Sequence, residues 1–308
     1  MPSSTTLRAR GLRALVVPAV ALLASACMAP LASLTHDGLS RTYLLYAPPD
    51  VGEGAPLLVV LHGGGGNPRQ VARYFALDAI ADEHGLVVVY PGARDENWND
   101  GRGASGIEEQ QDDVDDVGFI VALVDEIART KGIDRARVTA TGISNGAMMS
   151  FRLACERPDV FAAIAPVAGA LPAPLSSTCA PSAPVAVLAM NGTDDTFVPM
   201  AGGDIMGRAA RGSVVSLDES LVPFVRASGC TGTSTTTHDD DADDRTTRET
   251  HVWQGCVEGF EIVSHRFVGG GHTLPGIDGR PHEAFIGVTS QELDGPRAIG
   301  ALAARARR

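Results

Sequence analysis

In the stretch TATGISNGAMMSF, residues 139–151, Ser144 lies between Gly142 and Gly146, where a strand-like sequence is followed by a helix-like sequence. An apolar, β-branched run typical of a buried strand precedes the serine, and a run of helix-forming residues follows it. Because glycine has no Cβ, the two glycines predict a hard bend in which helix and neighbouring strand backbones approach closely. The stretch therefore indicates a strand–turn–helix unit that holds a serine hydroxyl at its turn.

Apolar strands and helices alternate on both sides of this unit. Continuous apolar runs are typical of strands buried on both faces, so the alternation predicts an α/β protein with a mostly parallel central sheet and helices on both faces. The predicted strands are 41–49 at a sheet edge, 55–61, 86–92, 161–169, 183–192, 251–256 and 260–270, and the clearest helices are 69–85, 117–130, 145–158, one that starts at Ser216 and 294–307.

Composition and charge narrow the function classes. The 308 residues are 44% hydrophobic and 20% charged, which is typical of a globular protein. The chain carries 37 acidic and 25 basic residues, a formal charge of −12, so nucleic acid is not an expected partner. We predict one catalytic domain over residues 41–308, preceded by a tether over residues 27–40.

The first 26 residues resemble a signal peptide. Three arginines precede the apolar core ALVVPAVALLA (14–24), and the small residues ASA (24–26) offer a cleavage site before Cys27. The sequence LLASAC also resembles a bacterial lipobox, in which Cys27 would carry a lipid and attach the protein to a membrane. Plain secretion is the alternative, and both place the protein outside the cytoplasm.

The other four cysteines fit an oxidising compartment. They are an even set, and closure of short loops favours the pairs Cys155–Cys179 and Cys230–Cys256 over free buried thiols. Their spacing does not match a zinc site, so no metal is expected.

Ser144 needs a base, because a hydroxyl is a weak nucleophile at neutral pH. Where a G-x-S-x-G motif lies between a strand and a helix, the catalytic triad is expected in the chain order serine, acid, histidine. His272 follows an apolar strand in the glycine-rich segment VGGGHTLPG, where such a base is expected. His251 and His265 lie inside predicted strands and are interpreted as structural, whereas His238 and His282 lie in connecting segments.

The acid and the oxyanion donors come from two other loops. The segment VAVLAMNGTDDTFVP offers the adjacent aspartates Asp194 and Asp195, and the residues themselves hardly separate the two. The glycines of HGGGGN (62–67) let backbone N–H groups approach a substrate carbonyl, together with the N–H of Asn145 at the start of a helix. A phosphate-binding loop is disfavoured because no Lys-Ser/Thr pair follows.

Two further features stay open in the sequence. Trp98 in NWNDG either stacks on the substrate or covers the core beneath a long loop. The acidic stretch THDDDADDRTTRET (237–250) is interpreted as a solvated hairpin tip rather than a calcium loop, because it lacks the spacing of an EF-hand. In DDVGF, Asp115 or Asp116 is expected to cap a helix.

These segments together resemble a known group of enzymes. LHGGGGN, NWNDG, DDVGFI, GISNGAMMSFRLACERPDVFAAIAPVAG, NGTDDTFVP and GGGHTLPG are similar, in this order, to secreted esterases that include polyhydroxybutyrate depolymerases and feruloyl esterases. The resemblance implies an α/β-hydrolase fold and carboxylic ester hydrolysis by a Ser-Asp-His triad, without a cofactor. It also supports the two disulfide pairs.

The resemblance assigns roles residue by residue. Ser144 would be the nucleophile, His272 the base and Asp195 the acid, with oxyanion donors at Gly64 and Asn145. Asn191 stands where the family motif has histidine. No linker or surface-binding module is evident, so a small-molecule or oligomeric ester is expected as substrate rather than solid polymer. A serine peptidase on this fold and a non-catalytic binding protein on the same scaffold are the alternative hypotheses.

Overall fold

A computed structural model describes Met1 and residues 30–238, 244–278 and 283–308. The strands are β1 (Ala32–His36), β2 (Leu39–Tyr46), β3 (Leu57–Leu61), β4 (Val87–Pro91), β5 (Val138–Ile143), β6 (Ala163–Val167), β7 (Ala186–Gly192), β8 (Gly203–Asp204), β9 (Ser213–Val214), β10 (Gly232–His238), β11 (Thr247–Gln254) and β12 (Ile262–Val268). The helices are α1 (Pro68–Phe75), α2 (Asp78–His84), α3 (Glu108–Gln111), α4 (Asp116–Lys131), α5 (Asn145–Glu156), α6 (Leu217–Ala227), α7 (Glu283–Ile286) and α8 (Gly295–Arg305).

One large sheet organises the described residues. Its strand order is β1-β2-β4-β3-β5-β6-β7-β12-β11-β10. The central strands β4, β3, β5, β6, β7 and β12 run parallel to their neighbours in this group, and the strands outside them pair antiparallel. The carboxyl ends of the parallel strands therefore share one edge, where α/β proteins place their ligand sites.

Helices cover both faces of this sheet, as predicted. Alternate side chains of β3 point to opposite faces: Leu57, Val59 and Leu61 join the core that includes α4, α5 and α6. Leu58 and Val60 join the core that includes α1, α2 and α8. The prediction of a two-sided α/β sheet is confirmed, and the continuous apolar strands follow from burial on both faces.

Helix ends follow the expected capping chemistry. Asp115 caps α4 by accepting the Gly118 N–H at 2.8 Å, and Asp294 caps α8 by accepting the Arg297 N–H at 3.0 Å. Ser216 and Glu219 form a capping box at α6, which continues past Pro223.

The sheet edges differ from the prediction. Residues 32–36 form β1, which pairs with β2, so this part of the predicted tether is instead a strand of the sheet. Consequently the strand predicted at 41–49 is not the edge strand. At the other edge, β10 is a polar strand that the apolar patterns did not indicate, and it forms a hairpin with β11.

The helix predicted over 69–85 is two helices. The chain breaks at Ala76, which has φ 48°, and resumes as α2. Phe75 and Leu77 are both fully buried in the same core. Residues two apart cannot face one side of a continuous helix, so the break lets both side chains reach the core.

Both predicted disulfides are present, Cys155–Cys179 and Cys230–Cys256. Such bonds indicate an oxidising compartment. The predicted signal peptide (apart from Met1), Cys27, His282 and the centre of the acidic stretch lie outside the described residues. None of the helices in the described ranges combines the length and apolar character that crossing a bilayer requires.

Candidate active site

Ser144 lies at the strained turn that its neighbours predicted. Its backbone has φ 58° and ψ −119°, between the end of β5 and the start of α5. A Cβ on Gly146 would lie 2.3 Å from the Leu61 carbonyl oxygen, and one on Gly142 would lie 2.7 Å from the Gly146 backbone. Only glycine fits at either position, so close packing of α5 against β3 and β5 fixes the turn.

The base and the acid meet across two loops. His272 Nδ1 lies 2.7 Å from Asp195 Oδ2, and both side chains are more than nine-tenths buried. With its proton on Nδ1 and donated to the carboxylate, the imidazole has Nε2 free to accept a proton. His272 and Ser144 line the same cleft, which has a volume of about 420 Å³ and which we call the His272 cleft.

The structure separates the two adjacent aspartates. Asp195 Oδ1 accepts the N–H groups of Phe197 and Val198 at 2.8 and 2.9 Å, which directs Oδ2 towards His272. Asp194 is exposed, and its Oδ1 accepts the hydroxyl of its neighbour Thr193. Asp195 is therefore the aspartate that contacts the imidazole, whereas Asp194 binds its own neighbour.

The backbone N–H groups of Gly64 and Asn145 are candidates to bind an oxyanion. In the glycine loop, Gly65 donates to the Glu96 carbonyl and Gly66 to the Gly63 carbonyl. Among the described residues, the N–H groups of Gly64 and of Asn145, the first residue of α5, have no protein acceptor. Gly64 lines the His272 cleft, and the helix start adds a favourable dipole for negative charge.

The Asn145 side chain fixes this corner of the site. Its Oδ1 accepts the Trp98 N–H at 2.8 Å, and its Nδ2 donates to the Trp98 carbonyl and to Asp100 Oδ2. Burial raises the pKa of Asp100, against the opposing effect of the nearby Arg102. The amide thus ties α5 to the loop that follows β4.

Trp98 is a core residue, which corresponds to the second of the two alternatives that the sequence left open and does not support a substrate contact. The indole is fully buried, and its Nε1 donates to the His62 carbonyl at 2.9 Å. It also packs on the His62 ring, with centroids 4.9 Å apart. Its contacts therefore support the start of the glycine loop rather than the substrate.

The sequence patterns missed His62 and Phe197. His62 immediately precedes the glycines, and its ring is held by the Gly63 carbonyl and the Ala93 N–H. Phe197 follows Asp195 by two residues and stacks on the His272 ring at 4.9 Å with an interplanar angle of 14°. In the sequence, each of these two residues is marked only by its position next to a motif.

The other residues considered in the sequence have contacts typical of structural roles. His251 and His265 lie in β11 and β12, as predicted, and burial lowers the pKa of His265 to about 4. Asp116 is buried against Arg41, which agrees with a structural role for DDVGF. Asn191 donates to the Gly169 carbonyl at 3.0 Å.

Potential metal ligands cluster in one place within the described ranges. His36, Asp37 and Asp115 bring ligand atoms within 4.8 Å of one another, away from the His272 cleft. The Asp115 oxygens already accept from the Gly118 N–H and contact His36, so helix capping explains this cluster.

Comparison with known proteins relates this chain to esterases. Residues 41–183 match the family model described as Esterase PHB depolymerase. The protein named "Putative esterase NocK", from Nocardia uniformis subsp. tsuyamanensis, is 34% identical over 284 residues, covering 83% of this chain and 77% of NocK. Feruloyl esterase C of Emericella nidulans is 29% identical over 171 residues, covering 53% of this chain and 58% of the relative.

A solved structure supports the fold alone. The acetyl xylan esterase from Aspergillus awamori superposes with a TM-score of 0.56 at 17% identity, covering 83% of this chain and 98% of that chain. The α/β-hydrolase fold expected from the sequence is thereby confirmed.

Proposed function

We propose that this chain, which belongs to the Esterase PHB depolymerase family and is therefore a carboxylic ester hydrolase, cleaves its ester through an acyl-enzyme on Ser144. One observation carries the proposal. A serine on a strained turn lines the same cleft as a buried histidine whose Nδ1 lies 2.7 Å from a carboxylate. This arrangement activates a hydroxyl as a nucleophile.

The first half of the reaction forms the acyl-enzyme. Ser144 Oγ bonds to the ester carbonyl carbon while its proton passes to Nε2 of His272. The carbonyl electron pair moves onto its oxygen, which the N–H groups of Gly64 and Asn145 stabilise. Asp195 stabilises the imidazolium. When the carbon–alcohol bond breaks, the leaving oxygen takes the proton from His272.

Water completes the reaction. His272 removes a proton from a water molecule, whose oxygen attacks the acyl carbon and forms a second oxyanion at the same donors. The bond to Ser144 Oγ then breaks, and the serine regains its proton from His272. The free carboxylic acid leaves, and no cofactor or metal enters any step.

The experiment combines a reactive probe with matched variants. A fluorophosphonate should label the wild type and leave Ser144→Ala unlabelled. With short para-nitrophenyl esters, Asp195→Asn should lower kcat by about a thousandfold or more. Asp194→Asn is the matched control and should stay within about twofold. Labelling of neither wild type nor variant would contradict the proposal and favour a non-catalytic binding protein.

The substrate class and location belong to the same proposal. We propose feruloyl-type or short hydroxyalkanoate esters, because both classes occur in the group that the sequence resembles. A panel of methyl ferulate, hydroxybutyrate oligomers and nitrophenyl esters would distinguish them, with aminoacyl amides included to detect peptidase activity. The two disulfides support export. Cell fractionation of wild type and Cys27→Ser would test lipid attachment.

A further inference from the structure

A second cleft adjoins Ser144. It has a volume of about 560 Å³ and shares Ser144, Gly64 and Phe197 with the His272 cleft. We call it the arginine cleft because three arginines line it. Its other lining residues include Asn145, Met148, Ile205 and Met206.

Positive charge in this cleft is not balanced by acidic residues of its lining. Arg102, Arg208 and Arg211 line it, and no aspartate or glutamate does within the described residues. Arg208 lies between two short 3-10 turns that separate β8 from β9, and Arg211 ends the second turn. Both residues are exposed, and neither forms a salt bridge with a carboxylate of the described residues. In a chain of net charge −12, unpaired arginines beside the nucleophile create a local positive field.

Arg102 adds a buried cation at the inner side of the cleft. Its side chain is 5% exposed, and Nη1 donates to Asp100 Oδ2 at 2.6 Å. Asp100 also accepts from Asn145 Nδ2, so this ion pair is joined to the start of α5. The Arg102 Nε has no partner in the described part of the chain. The cleft therefore has an ion-paired guanidinium at its inner side and two exposed arginines at its rim.

The placement of His272 tells the two clefts apart. In the proposed reaction, His272 must protonate the leaving alcohol, so the alcohol departs on the side where the imidazole lies. His272 lines the first cleft and is absent from the lining of the arginine cleft. The arginine cleft therefore lies on the acyl side of the ester.

We propose that the arginine cleft binds the acyl part of the substrate and selects acyl groups that carry a carboxylate. This inference rests on the proposed function of Ser144. A guanidinium matches a carboxylate with two parallel N–H donors, which gives orientation as well as attraction. Among acyl groups, this cleft would therefore favour half-esters of dicarboxylic acids, whose free carboxylate lies near Arg208 and Arg211, over the uncharged feruloyl-type and hydroxyalkanoate acyl groups that the reaction also accepts.

The test compares two esters of equal chain length. The mono-para-nitrophenyl ester of adipic acid carries the carboxylate, and para-nitrophenyl hexanoate does not. After subtraction of uncatalysed hydrolysis, wild type should show a higher kcat/KM for the adipate half-ester, and salt should reduce the preference. The double variant Arg208→Gln/Arg211→Gln should lower the ratio of the two kcat/KM values about five- to tenfold.

Controls separate this inference from the proposed function. Lys131→Gln removes a charge at the end of α4, outside the linings of both clefts, and should leave the ratio unchanged. If the double variant hydrolysed para-nitrophenyl hexanoate but kept the wild-type ratio of kcat/KM values, the inference about the arginine cleft would be overturned. The proposed esterase function would still stand. A preference for para-acetoxybenzoate over phenyl acetate, without one for adipate, would place the carboxylate on the alcohol and also overturn it. Hydrolysis of no ester would contradict the proposed function itself.

Discussion

Acid should destabilise this protein through His62, a buried histidine at the start of the glycine loop. The ring is 1% exposed, and burial lowers its pKa to about 4, although the hydrogen bond to Gly63 acts in the opposite direction. Nδ1–H donates to the Gly63 carbonyl, and Nε2 accepts the Ala93 N–H at 3.1 Å. Protonation would turn Nε2 into a donor facing another donor, so the folded state requires the neutral ring.

The sign and size of the effect follow from linkage. A histidine in the unfolded chain has a pKa of 6.5, so between about pH 6.5 and pH 4 the unfolded state binds more protons than the folded state. The stabilising contribution is complete above pH 6.5 and is lost as the pH falls through this window. From pH 7 to pH 5 the loss from His62 alone is about 2 kcal/mol.

The assay is urea unfolding at pH 7 and pH 5 for wild type and His62→Gln. Glutamine can accept the Ala93 N–H and does not titrate. The variant should therefore lose about 2 kcal/mol less than wild type between the two pH values, whatever its stability at pH 7. His84→Gln, in α2, is the control and should retain the wild-type pH dependence. Equal losses in wild type and His62→Gln would refute the reasoning.

Two further predictions test the packing around the site. Gly146→Ala should lower the free energy of unfolding by about 3 kcal/mol or more, because its Cβ would meet the Leu61 carbonyl oxygen. Gly52→Ala is the control: a Cβ at Gly52 meets open space, so the free energy of unfolding should change by less than about 1 kcal/mol. Equal effects in urea unfolding would contradict this account. Trp98→Phe leaves the His62 carbonyl unpaired and should cost about 1–3 kcal/mol with KM within twofold of wild type; a large rise in KM with unchanged stability would restore the substrate-contact hypothesis.

The centre of the fold was predictable because burial leaves a strong mark on sequence. Strands β3 to β7 are covered on both faces, so their apolar runs are continuous. The edge strands carry no such mark: β10 is GTSTTTH and almost wholly exposed, and β1 is the short, mostly exposed strand ASLTH. Backbone pairing with a neighbour creates these strands, and pairing is not visible in composition.

In the site too, features set by adjacent residues could be predicted, and features set by residues far apart in the chain could not. The glycines around Ser144 act on their own turn, so the turn could be predicted from adjacent residues. The choice between Asp194 and Asp195 needed a family motif, because it depends on which carboxylate reaches a histidine 77 residues away. The arginine cleft could not be predicted, since Arg102 and Arg211 meet only through the folding of two separate loops.

The contacts behind Gly64 and Asn145, the proposed oxyanion donors, explain how this corner of the site can be rigid while its two clefts differ in chemistry. Gly64 follows His62, whose carbonyl and ring are held by Trp98, and Trp98 is held in turn by the Asn145 side chain. Gly64 and Asn145 are therefore linked through the buried residues His62 and Trp98, neither of which lines the arginine cleft. Arg208 and Arg211 lie on exposed turns outside this network. Because donor alignment does not depend on them, substitution at the rim can change which acyl group binds without misplacing the groups that stabilise the oxyanion.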